Sequence, residues 1–501
     1  MKGMHTLGDV IREASMFPDK GITFIGTNQD EFFLSYQQLY RRAKVVLNNL
    51  SEQGVERGDQ VILQIKDEQH FLMTFWGCLL GGIVPVPLSI GGQSFYKEKF
   101  VTTWNTLHHP FLVHDAEALK GIQEHCRKHE LASLEEAVAS RSADVELVAR
   151  GEREAEPLML DPTSIAYIQF SSGSTGNAKG VTLTHENLVA NISDIARRSA
   201  ITSEDAMLSW MPLTHDMGLI CFHLTGVITG IRQYIMPTPL FVKRPLLWMD
   251  KTSEHRISLL YSPNFGYHYL LSALNGQKYP WSLSTVRLIY NGAEPISSKL
   301  IDEFMRTMED YGLRREAMYP GYGMAEACVA VTLAYQDKPY QTYWLDRNFL
   351  QIGTQVLEAE PRHENAVSFV SVGSPIDQCE IRIANDREEL LPDNCIGHIQ
   401  IKGANTTKGY YNNEEATRKL LTSDSWLRTG DLGFVRDNIL VITGRAKNLI
   451  IINGQNYYPQ DIESVILDDT SLTTGTVVAC GGKNFAQDRE ELLIFVLFRK
   501  S

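Results

Sequence analysis

The sequence has no surplus of positive charge. Its 60 Asp and Glu residues outnumber its 47 Lys and Arg residues, and the formal net charge at pH 7 is −13. This balance argues against general binding to nucleic acids or to anionic membranes, because both need a positively charged protein surface. Any phosphate ligand therefore has to be held by local donors and not by the overall field of the protein.

Paired cysteines and a secretory signal are also missing. The cysteine count of seven is odd and no CxxC spacing occurs, which favours free buried thiols in a reducing compartment. No charged segment followed by an apolar core and a small-residue cleavage site opens the chain. A cytoplasmic location is therefore expected. The cysteines are Cys78, Cys126, Cys221, Cys328, Cys379, Cys395 and Cys480.

A membrane span is the third feature that the sequence lacks. The stretch Phe71–Ile90 carries no charge over 20 residues, which is the length that crosses a bilayer. However, a Gly-Gly pair and two prolines interrupt it. We therefore predict a buried helix that ends near Leu80, then a glycine turn and a short strand.

The chain is long enough for more than one domain, since 501 residues exceed one ordinary core. Strand-like runs such as Gln60–Gln64 and Val286–Asn291 alternate with helical runs such as Thr6–Ala14 and Leu219–Gly230. This alternation predicts an α/β fold with a largely parallel sheet that is covered on both faces. From Val367 to about Val441, short strands with Gly, Asn and Asp turns predict a small barrel or distorted sheet.

The most informative stretch is Tyr167–Leu188, which reads YIQFSSGSTGNAKGVTLTHENL. An apolar strand-like run ends in a loop of Ser, Thr and Gly, and Lys179 precedes a second β-branched run. Backbone N–H groups of such a loop can converge on an anion, while the hydroxyls add donors and Lys179 adds a positive charge. A polar linker is the alternative, but linkers seldom lie between two apolar β-runs. The Walker spacing is absent, so we predict a phosphate-binding loop of another design.

Five further stretches accompany this loop. They are Trp210–Gly218 (WMPLTHDMG), Tyr290–Pro295 (YNGAEP), Tyr319–Glu326 (YPGYGMAE), Leu427–Gly433 (LRTGDLG) and Gly444–Ile450 (GRAKNLI) followed by Asn453-Gly454. Taken singly, each is ordinary, because a lone His or Asp at a turn is more often structural than functional. Their order along the chain is what carries information.

In this order, the six stretches resemble those of the acyl- and aminoacyl-adenylating enzymes, which include acyl-CoA synthetases, nonribosomal-peptide adenylation domains and firefly luciferase. The resemblance extends from about residue 6 to about residue 480. It implies a large N-terminal domain over residues 1–444, built from two αβαβα subdomains and a small distorted β-barrel. Residues 371–441 would form the β-rich part, and residues 445–501 would be the first part of a small α+β C-terminal domain.

The resemblance implies that ATP activates a carboxylic acid as an acyl adenylate, with release of pyrophosphate. Such chemistry requires stabilisation of the leaving-group charge, in-line alignment and exclusion of water. The expected catalytic residues are His215, Lys179 and Glu326. His215 would lie where the carboxylate meets the α-phosphate. Glu326 would bind Mg²⁺, an ion that is held by carboxylate and phosphate oxygens.

The resemblance also assigns ATP-binding roles. The loop from Ser171 to Lys179 would hold the β- and γ-phosphates, and Tyr322 would stack on adenine. Asp431 would accept hydrogen bonds from the ribose hydroxyls, and Arg445 would support the ribose and the domain junction. The expected set is Ser171, Ser172, Gly173, Ser174, Thr175, Gly176, Lys179, Asn291, Gly292, Ala293, Glu294, Gly321, Tyr322, Gly323, Met324, Ala325, Asp431 and Arg445.

One of these positions departs from the family pattern. Many relatives have Thr where this chain has Ala325, and that Thr contacts the phosphate. The contact is therefore either lost here or supplied by another group.

The connection over residues 334–370 points to one branch of the superfamily. It is longer than in most acyl-CoA synthetases, and its apolar residues, including Tyr343, Trp344, Leu345 and Phe349, predict that it packs, although an exposed insertion is the alternative. The pattern LDRNFL…VSVGSP, with HDMGLI and GMAEA, resembles the fatty acyl-AMP ligases. In that branch, the insertion docks on the large domain and restrains the small one. The acyl group then passes to the phosphopantetheine of an acyl carrier protein, commonly in polyketide or mixed peptide–polyketide assembly lines, where the carrier can belong to the same longer polypeptide.

Three other functions stay open. An acyl-CoA ligase would use coenzyme A as the acceptor. An amino-acid adenylation domain would use an Asp near the His motif to pair with an amine, although Asp216 belongs to the HDMG pattern of the fatty acyl branch. A catalytically silent nucleotide-binding module belongs to a different class. The apolar stretch Ser258–Leu274 suits either an acyl tunnel or ordinary core packing, so the identity of the acid is not defined.

A lysine of the family pattern has no match in this chain. In the family, a Gly-Lys motif near the C-terminus supplies a lysine that bridges the carboxylate and the α-phosphate. Lys500 lacks that context and is not assigned the role. We therefore expect that this chain binds ATP but adenylates weakly.

Overall fold

The computed structural model describes residues 3–28, 30–91, 93–171, 178–448, 450–452, 455–457, 459, 462–463, 466, 474–484 and 489–498. Six residues of the predicted phosphate loop, Ser172, Gly173, Ser174, Thr175, Gly176 and Asn177, lie outside the described residues. So do Asn453, Gly454 and Lys500.

The helices alternate with strands over most of the chain. The α-helices are Leu7–Ala14 (α1), Tyr36–Glu52 (α2), Glu68–Leu80 (α3), Ser94–Thr106 (α4), Ala116–Lys128 (α5), Ala132–Ser140 (α6), Val145–Val148 (α7), His185–Arg198 (α8), Thr225–Thr229 (α9), Thr238–Lys243 (α10), Leu246–Glu254 (α11), Asn264–Leu274 (α12), Ser298–Glu309 (α13) and Glu414–Leu420 (α14). A π-helix covers Met217–Leu224, and 3₁₀ turns cover Arg315–Ala317, Ala325–Ala327, Arg347–Phe349 and Ala446–Asn448.

The strands that precede the fourth motif are Gly21–Ile25 (β1), Glu31–Ser35 (β2), Gln60–Gln64 (β3), Val84–Pro87 (β4), Phe111–His114 (β5), Ser142–Asp144 (β6), Ile165–Ser171 (β7), Lys179–Thr184 (β8), Ala206–Ser209 (β9), Arg232–Ile235 (β10), Leu259–Tyr261 (β11), Leu288–Asn291 (β12), Met318–Gly323 (β13), Ala330–Leu333 (β14), Thr342–Asp346 (β15), Ala366–Val370 (β16), Ser374–Pro375 (β17), Cys379–Ala384 (β18) and Gly397–Gly403 (β19). The later strands are Leu427–Arg436 (β20), Ile439–Arg445 (β21), Ile450–Ile452 (β22), Gln455–Tyr457 (β23), Thr474–Asn484 (β24) and Arg489–Phe498 (β25).

The largest sheet, called the central sheet below, has the order β17-β14-β13-β12-β11-β9-β10-β1-β2. Its middle strands, from β13 to β1, are parallel, while the strands at both ends are antiparallel. A second sheet has the parallel order β4-β3-β5-β6. These sheets with their helices confirm the predicted α/β fold.

Short local signals explain several helix positions. The side chains of Thr6 and Ser35 each accept a hydrogen bond from the backbone N–H three residues later. In turn, the side chains of Asp9 and Gln38 accept one from the backbone N–H of the cap residue. Such a capping box satisfies two backbone N–H groups that the first helical turn leaves unpaired. Ser35 is therefore the N-terminal cap of α2.

The charge-free stretch forms the predicted buried elements. Helix α3 has buried residues on every side from Phe71 to Leu80, and strand β4 follows the turn at Gly81-Gly82. Gly82 has a φ of 63°, a left-handed conformation that glycine adopts without a steric cost. Within the described residues, we find no helix with both the length and the hydropathy that a bilayer span requires.

The predicted helix Leu219–Gly230 is only partly correct. The chain is π-helical over Met217–Leu224 and α-helical only over Thr225–Thr229. His223 in the π-turn is fully buried and bonds to Trp76 Nε1 at 2.9 Å and to Gln233 Oε1 at 3.0 Å. Burial lowers the pKa of His223 to about 4. These core contacts accompany the wider turn, and single-sequence periodicity does not report them.

The β-rich segment is an antiparallel meander, β18-β19-β20-β21. An isolated bridge between Ser371 and Val441 connects it to the preceding segment. The small distorted barrel expected here thus takes the form of an open meander in the described part of the chain.

The connection over residues 334–370 is packed. Strands β15 and β16 form a hairpin, and Leu345, Leu350 and Val356 share a buried cluster with residues of the meander. On the other side, Ser368 Oγ lies 2.8 Å from Ser298 Oγ on α13. The insertion therefore bridges the central-sheet layer and the meander.

Because Leu345 is fully buried, we expect that Leu345→Ala lowers the free energy of unfolding by about 2–4 kcal/mol. Denaturant unfolding followed by fluorescence measures this change. Leu357→Ala is the matched control, since Leu357 lies in the same insertion with 49% of its surface exposed, and it should change stability by less than about 0.5 kcal/mol. Equal effects of both substitutions would contradict a packed insertion.

Candidate active site

Three of the predicted motifs meet at one edge of the central sheet. Strands β9, β12 and β13 run parallel, with β11 between the first two. Their carboxyl ends therefore lie together, and ligands of open α/β sheets bind at this edge. Trp210–Gly218 follows β9, Asn291 ends β12, and Gly321–Glu326 lies at the end of β13 and just after it.

The predicted phosphate loop joins β7 and β8. In this hairpin, Phe170 pairs with Gly180 and Ser171 pairs with Lys179. A further segment runs along the other side of β8, where Tyr411 N donates to Gly180 O at 2.7 Å and Thr182 N donates to Gly409 O at 3.2 Å. The segment 407–411 is therefore bound to the strand that begins with Lys179.

This segment brings two expected catalytic side chains to one tyrosine. Tyr410 donates its hydroxyl to Glu326 Oε1 at 2.7 Å, and the Lys179 ammonium lies 5.0 Å from the centre of the Tyr410 ring. Burial, and then the charge of Glu326, raise the pKa of Tyr410, so the tyrosine stays a donor. Thr407 N also donates to the Glu326 backbone oxygen at 2.8 Å. Glu326 is thus fixed at both its main chain and its side chain.

A strained turn follows Glu326 directly. Cys328 has φ 63° and ψ −72°, and Val329 N donates to Ala327 O at 2.8 Å, which defines a γ-turn of the rare, strained hand. Asn405 stabilises the turn, because its Nδ2 donates to Ala330 O at 3.0 Å. Backbone strain of this kind persists only where the surrounding structure enforces it, and it concentrates at functional sites.

The backbone of Gly323 packs closely against the backbone of Val329, which follows the strained turn. A Cβ atom at Gly323 would lie 1.4 Å from Val329 O, so no other residue fits there. Gly321, Met324 and Ala325 are half-buried. Ala325 begins the 3₁₀ turn that also contains Glu326.

The fourth and fifth motifs meet across β20 and β21. Asp431 pairs with Arg445 in register, and Arg445 Nε donates to Asp431 Oδ1 at 2.7 Å. The second carboxylate oxygen accepts from Tyr322 OH at 2.6 Å. Asp431 is only 4% exposed, and its charge adds to burial in raising the pKa of Tyr322. The residues expected at the ribose and at adenine are therefore in direct contact.

A cavity of about 190 Å³ opens beside this pair of strands. It is lined by Thr429, Gly430, Arg445, Ala446 and Lys447. A larger cavity of about 440 Å³ lies elsewhere, between residues of α2, α3 and the segment 146–152. Its lining contains none of the motif residues, so we place the candidate site at the smaller one.

His215 is accessible at the edge of the central sheet, with 47% of its side chain exposed. Its Nδ1 lies 2.9 Å from Asp216 Oδ1. The charge of Asp216 raises the pKa of His215, while burial and the charge of Lys99 act in the opposite direction. Asp216 thus favours the protonated imidazole, and Met217 N, which donates to the same Nδ1 at 3.2 Å, helps to orient the ring.

The motif Tyr290–Pro295 combines exposed and buried residues. Ala293 and Glu294 are exposed, and Ala293 has a φ of 70°. Asn291 is 1% exposed and its Oδ1 lacks a partner among the described residues. Glu294 accepts a hydrogen bond from Phe265 N at 2.8 Å and so caps α12. The adenine-side role predicted for this motif stays a prediction.

The sequence interpretation missed Tyr410, Thr407 and Asn405. They lie in GANTTKGYY, residues 403–411, where no motif was noted. The signal in the sequence is a pair of tyrosines directly after a glycine. Only the pairing with β8 shows what they contact.

A largely parallel sheet with three of the motifs at its carboxyl edge, together with the contact of Tyr322 and Arg445 with Asp431, is the arrangement expected of a nucleotide-binding protein of the α/β class. The comparison with known families is more specific. The chain belongs to the AMP-binding enzyme family, whose family model matches residues 11–411.

Two relatives cover most of the chain. A putative acyl-CoA synthetase of Caulobacter vibrioides is 32% identical over 473 residues, which is 93% of this chain and 81% of the relative. The medium-chain-fatty-acid–[acyl-carrier-protein] ligase JamA of Moorena producens is 30% identical over 482 residues, which is 92% of this chain and 80% of the relative.

Solved structures give the same picture of the fold. A chain from structural and functional studies of fatty acyl-adenylate ligases from E. coli and L. pneumophila has a TM-score of 0.88 at 27% identity. The match covers 100% of this chain and 88% of the solved one. Similarity at this level extends over both the central sheet and the meander.

Removal of the Asp216 charge should lower the pKa of His215. We expect that Asp216→Asn moves the pKa of the imidazole below its wild-type value, because the charge of Asp216 is the largest influence raising it. At a given pH near neutrality, a smaller fraction of His215 is then protonated. NMR titration of labelled histidine measures the shift, and His398, which contacts Asp386 elsewhere, serves as the unaffected control. An unchanged His215 titration would contradict the pairing.

Proposed function

We propose that the protein uses ATP to convert a fatty acid into its acyl adenylate, and that it passes the acyl group to the phosphopantetheine thiol of an acyl carrier protein. The observation that carries this proposal is the convergence of Lys179, Tyr410 and Glu326 on one side and of Tyr322, Asp431 and Arg445 on the other. The relatives support it, since one is named as a fatty-acid ligase of an acyl carrier protein.

Two groups of side chains would divide the nucleotide between them. Lys179 begins the strand after the phosphate loop and would neutralise charge on the β- and γ-phosphates. Asp431 would accept from the ribose hydroxyls, with Arg445 holding the carboxylate in place. Because these groups are fixed by backbone pairing, little reorganisation is needed when charge moves onto the leaving pyrophosphate.

Glu326 is chemically suited to a magnesium ion. It offers a carboxylate that is held in position by Tyr410, and Mg²⁺ is commonly bound by one or two carboxylates together with substrate phosphates. Bound there, the ion would supply charge neutralisation between phosphate oxygens. Tyr410 keeps the carboxylate from turning away when no ion is bound.

His215 would orient the acid. Its Nδ1 faces Asp216, which leaves Nε2 for a ligand. The substrate carboxylate attacks the α-phosphorus, a new P–O bond forms, and the bond to the bridging oxygen of pyrophosphate breaks. An imidazole near both groups reduces their mutual repulsion and aligns them, which is the larger part of the task in phosphoryl transfer.

The insertion supports a carrier protein as acceptor. Its hairpin is packed between α13 and the meander, so it is a structural part of this layer. A packed element at this place would restrict how the segment after β21 moves during the transfer step. Coenzyme A is the competing acceptor, since another relative is named as a putative acyl-CoA synthetase.

Substitution of the metal-binding carboxylate should remove turnover. Glu326→Gln keeps the shape and the Tyr410 contact but loses the charge, so Mg²⁺-dependent adenylate formation should fall by about 100-fold or more. Pyrophosphate release measures this rate. Glu303→Gln on the exposed face of α13 is the matched control. A Glu326→Gln variant that turns over at the wild-type rate would refute the metal assignment.

The acceptor is tested by competition. The protein is incubated with a panel of fatty acids, ATP and Mg²⁺, together with either coenzyme A or a pantetheinylated carrier protein, and products are read by mass spectrometry. We expect acyl adenylate and acylated carrier. The carrier without its phosphopantetheine should stay unmodified. Faster acyl-CoA formation would overturn the acceptor assignment, and the absence of any adenylate would overturn the proposed activity.

A further inference from the structure

A lysine outside all six motifs reaches the base of the phosphate loop. Lys99 lies on α4, far from β7 in sequence, and its Nζ donates to the backbone oxygen of Phe170 at 3.1 Å. Phe170 is the last residue but one of β7, and Ser171 after it pairs with Lys179. Lys99 therefore contacts the end of one strand of the hairpin that carries the loop, and Lys179 begins the other strand.

Lys99 has no carboxylate partner where the structure describes the chain. The Phe170 carbonyl is the hydrogen-bond acceptor it contacts there, and no Asp or Glu oxygen comes within 4.0 Å. The sequence of the loop itself, 171–179, also contains no acidic residue. An ammonium has three donors, and one carbonyl uses only one of them.

The environment of Lys99 makes the lack of a carboxylate partner among the described residues costly in free energy. The side chain is half-buried, and burial lowers the pKa of Lys99. Buried charges in proteins are normally paired, because removal of an ion from water costs several kcal/mol that a partner must offset. Among the described residues, the hydrogen-bond acceptor of Lys99 is a neutral carbonyl, so its charge is not offset there and suits an anionic ligand.

Neighbouring contacts connect the segments around Lys99 to the motif that contains His215. Ser89 Oγ, on the segment that leads into α4, lies 3.0 Å from Thr214 Oγ1. Gln169, next to Phe170, donates from Nε2 to Thr214 O at 3.3 Å. Thr214 directly precedes His215, whose pKa Asp216 raises while the charge of Lys99 acts in the opposite direction. The start of α4, the end of β7 and the His215 motif thus form one wall.

A purely structural role is the competing interpretation. Arg42 provides an example, since it donates to the backbone oxygen of Gly151 at 2.7 Å and so ties two segments together. However, Arg42 also has Glu152 at 3.6 Å, on the protein surface. Lys99 has neither an acidic neighbour in the described residues nor a solvent-exposed position.

We propose that Lys99 is a further pyrophosphate-binding residue, which contacts phosphoryl oxygens on the leaving-group side of bound ATP, opposite Lys179. This inference rests on the proposed function. The role suits a chain with a net charge of −13 and with Ala325 in place of a phosphate-contacting Thr. A second cation would supply part of the stabilisation that the missing hydroxyl cannot give.

Direct binding measurements test the proposal. Calorimetric titrations with inorganic pyrophosphate, ATP and AMP, each with Mg²⁺, are made on wild type, Lys99→Met and Lys99→Arg. We expect Lys99→Met to weaken pyrophosphate and ATP binding by roughly tenfold to a hundredfold, the usual effect of a hydrogen bond to a charged group. AMP lacks the leaving group, so its affinity should change by less than about twofold. Lys99→Arg should recover part of the loss.

Lys97→Met is the matched control. Lys97 is on the same helix and loses the same charge, but it packs towards Gly121 on α5, 3.4 Å from the position of a Cβ there. Its affinities should equal those of wild type, and thermal unfolding verifies that each variant is folded. Arg at position 99 also serves as a folded variant if Met destabilises α4.

The outcomes are distinct. Wild-type pyrophosphate affinity in a folded Lys99→Met protein would overturn the proposal, and an equal loss for AMP would place Lys99 at the α-phosphate instead. A raised KM for the fatty acid with unchanged nucleotide affinity would assign Lys99 to the carboxylate and also overturn it. If wild type binds pyrophosphate but forms no acyl adenylate, the proposed function fails while the assignment of Lys99 stands.

Discussion

The buried carboxylate of Asp431 constrains much of the site. At 4% exposure, an ionised carboxylate is stable only if charged or strongly donating partners surround it. Tyr322 and Arg445 are those partners, at 2.6 and 2.7 Å. Tyr322 belongs to the central sheet, whereas Asp431 and Arg445 belong to the meander. One electrostatic requirement therefore connects two sheets, and it does so where the nucleotide is expected. The hydroxyls of a ribose would act as further hydrogen-bond donors to a carboxylate that already accepts from Tyr322 and Arg445.

A second connection uses backbone pairing instead of charge. Glu326 and Lys179 are far apart in the chain, but the segment 407–411 contacts both because it pairs with β8 and presents Tyr410 between them. The strained turn at Cys328 has a place in this arrangement. The hydrogen bonds of Asn405 and Thr407 around it hold the backbone in this unfavourable conformation, directly after the Glu326 that contacts Tyr410.

Local signals in the sequence predicted much of the fold, and non-local contacts account for the rest. Ser35 is a recognisable cap because its partner Gln38 is three residues away. Likewise, the Gly-Gly pair after Leu80 ends a helix through its own backbone freedom. The expectation that Asp431 and Glu326 share one site came from the family resemblance alone, because Asp431 lies in the antiparallel meander and not at the end of a parallel strand. By contrast, Tyr410 has no motif of its own, and the π-turn at Met217–Leu224 depends on Trp76 and Gln233, which are remote in sequence.

Charge distribution explains why a strongly acidic chain can bind a polyanion. The long-range field is unfavourable, but within about 10 Å, the Debye length at 0.1 M salt, fixed local charges dominate. Arg445 neutralises the charge of Asp431. Lys179 lies against the ring of Tyr410. Lys99 differs in that its hydrogen-bond acceptor among the described residues is a neutral carbonyl, so no carboxylate offsets its charge there. A site assembled this way gains affinity from desolvated cations close to the ligand, which also makes it less sensitive to salt than a positively charged surface would be.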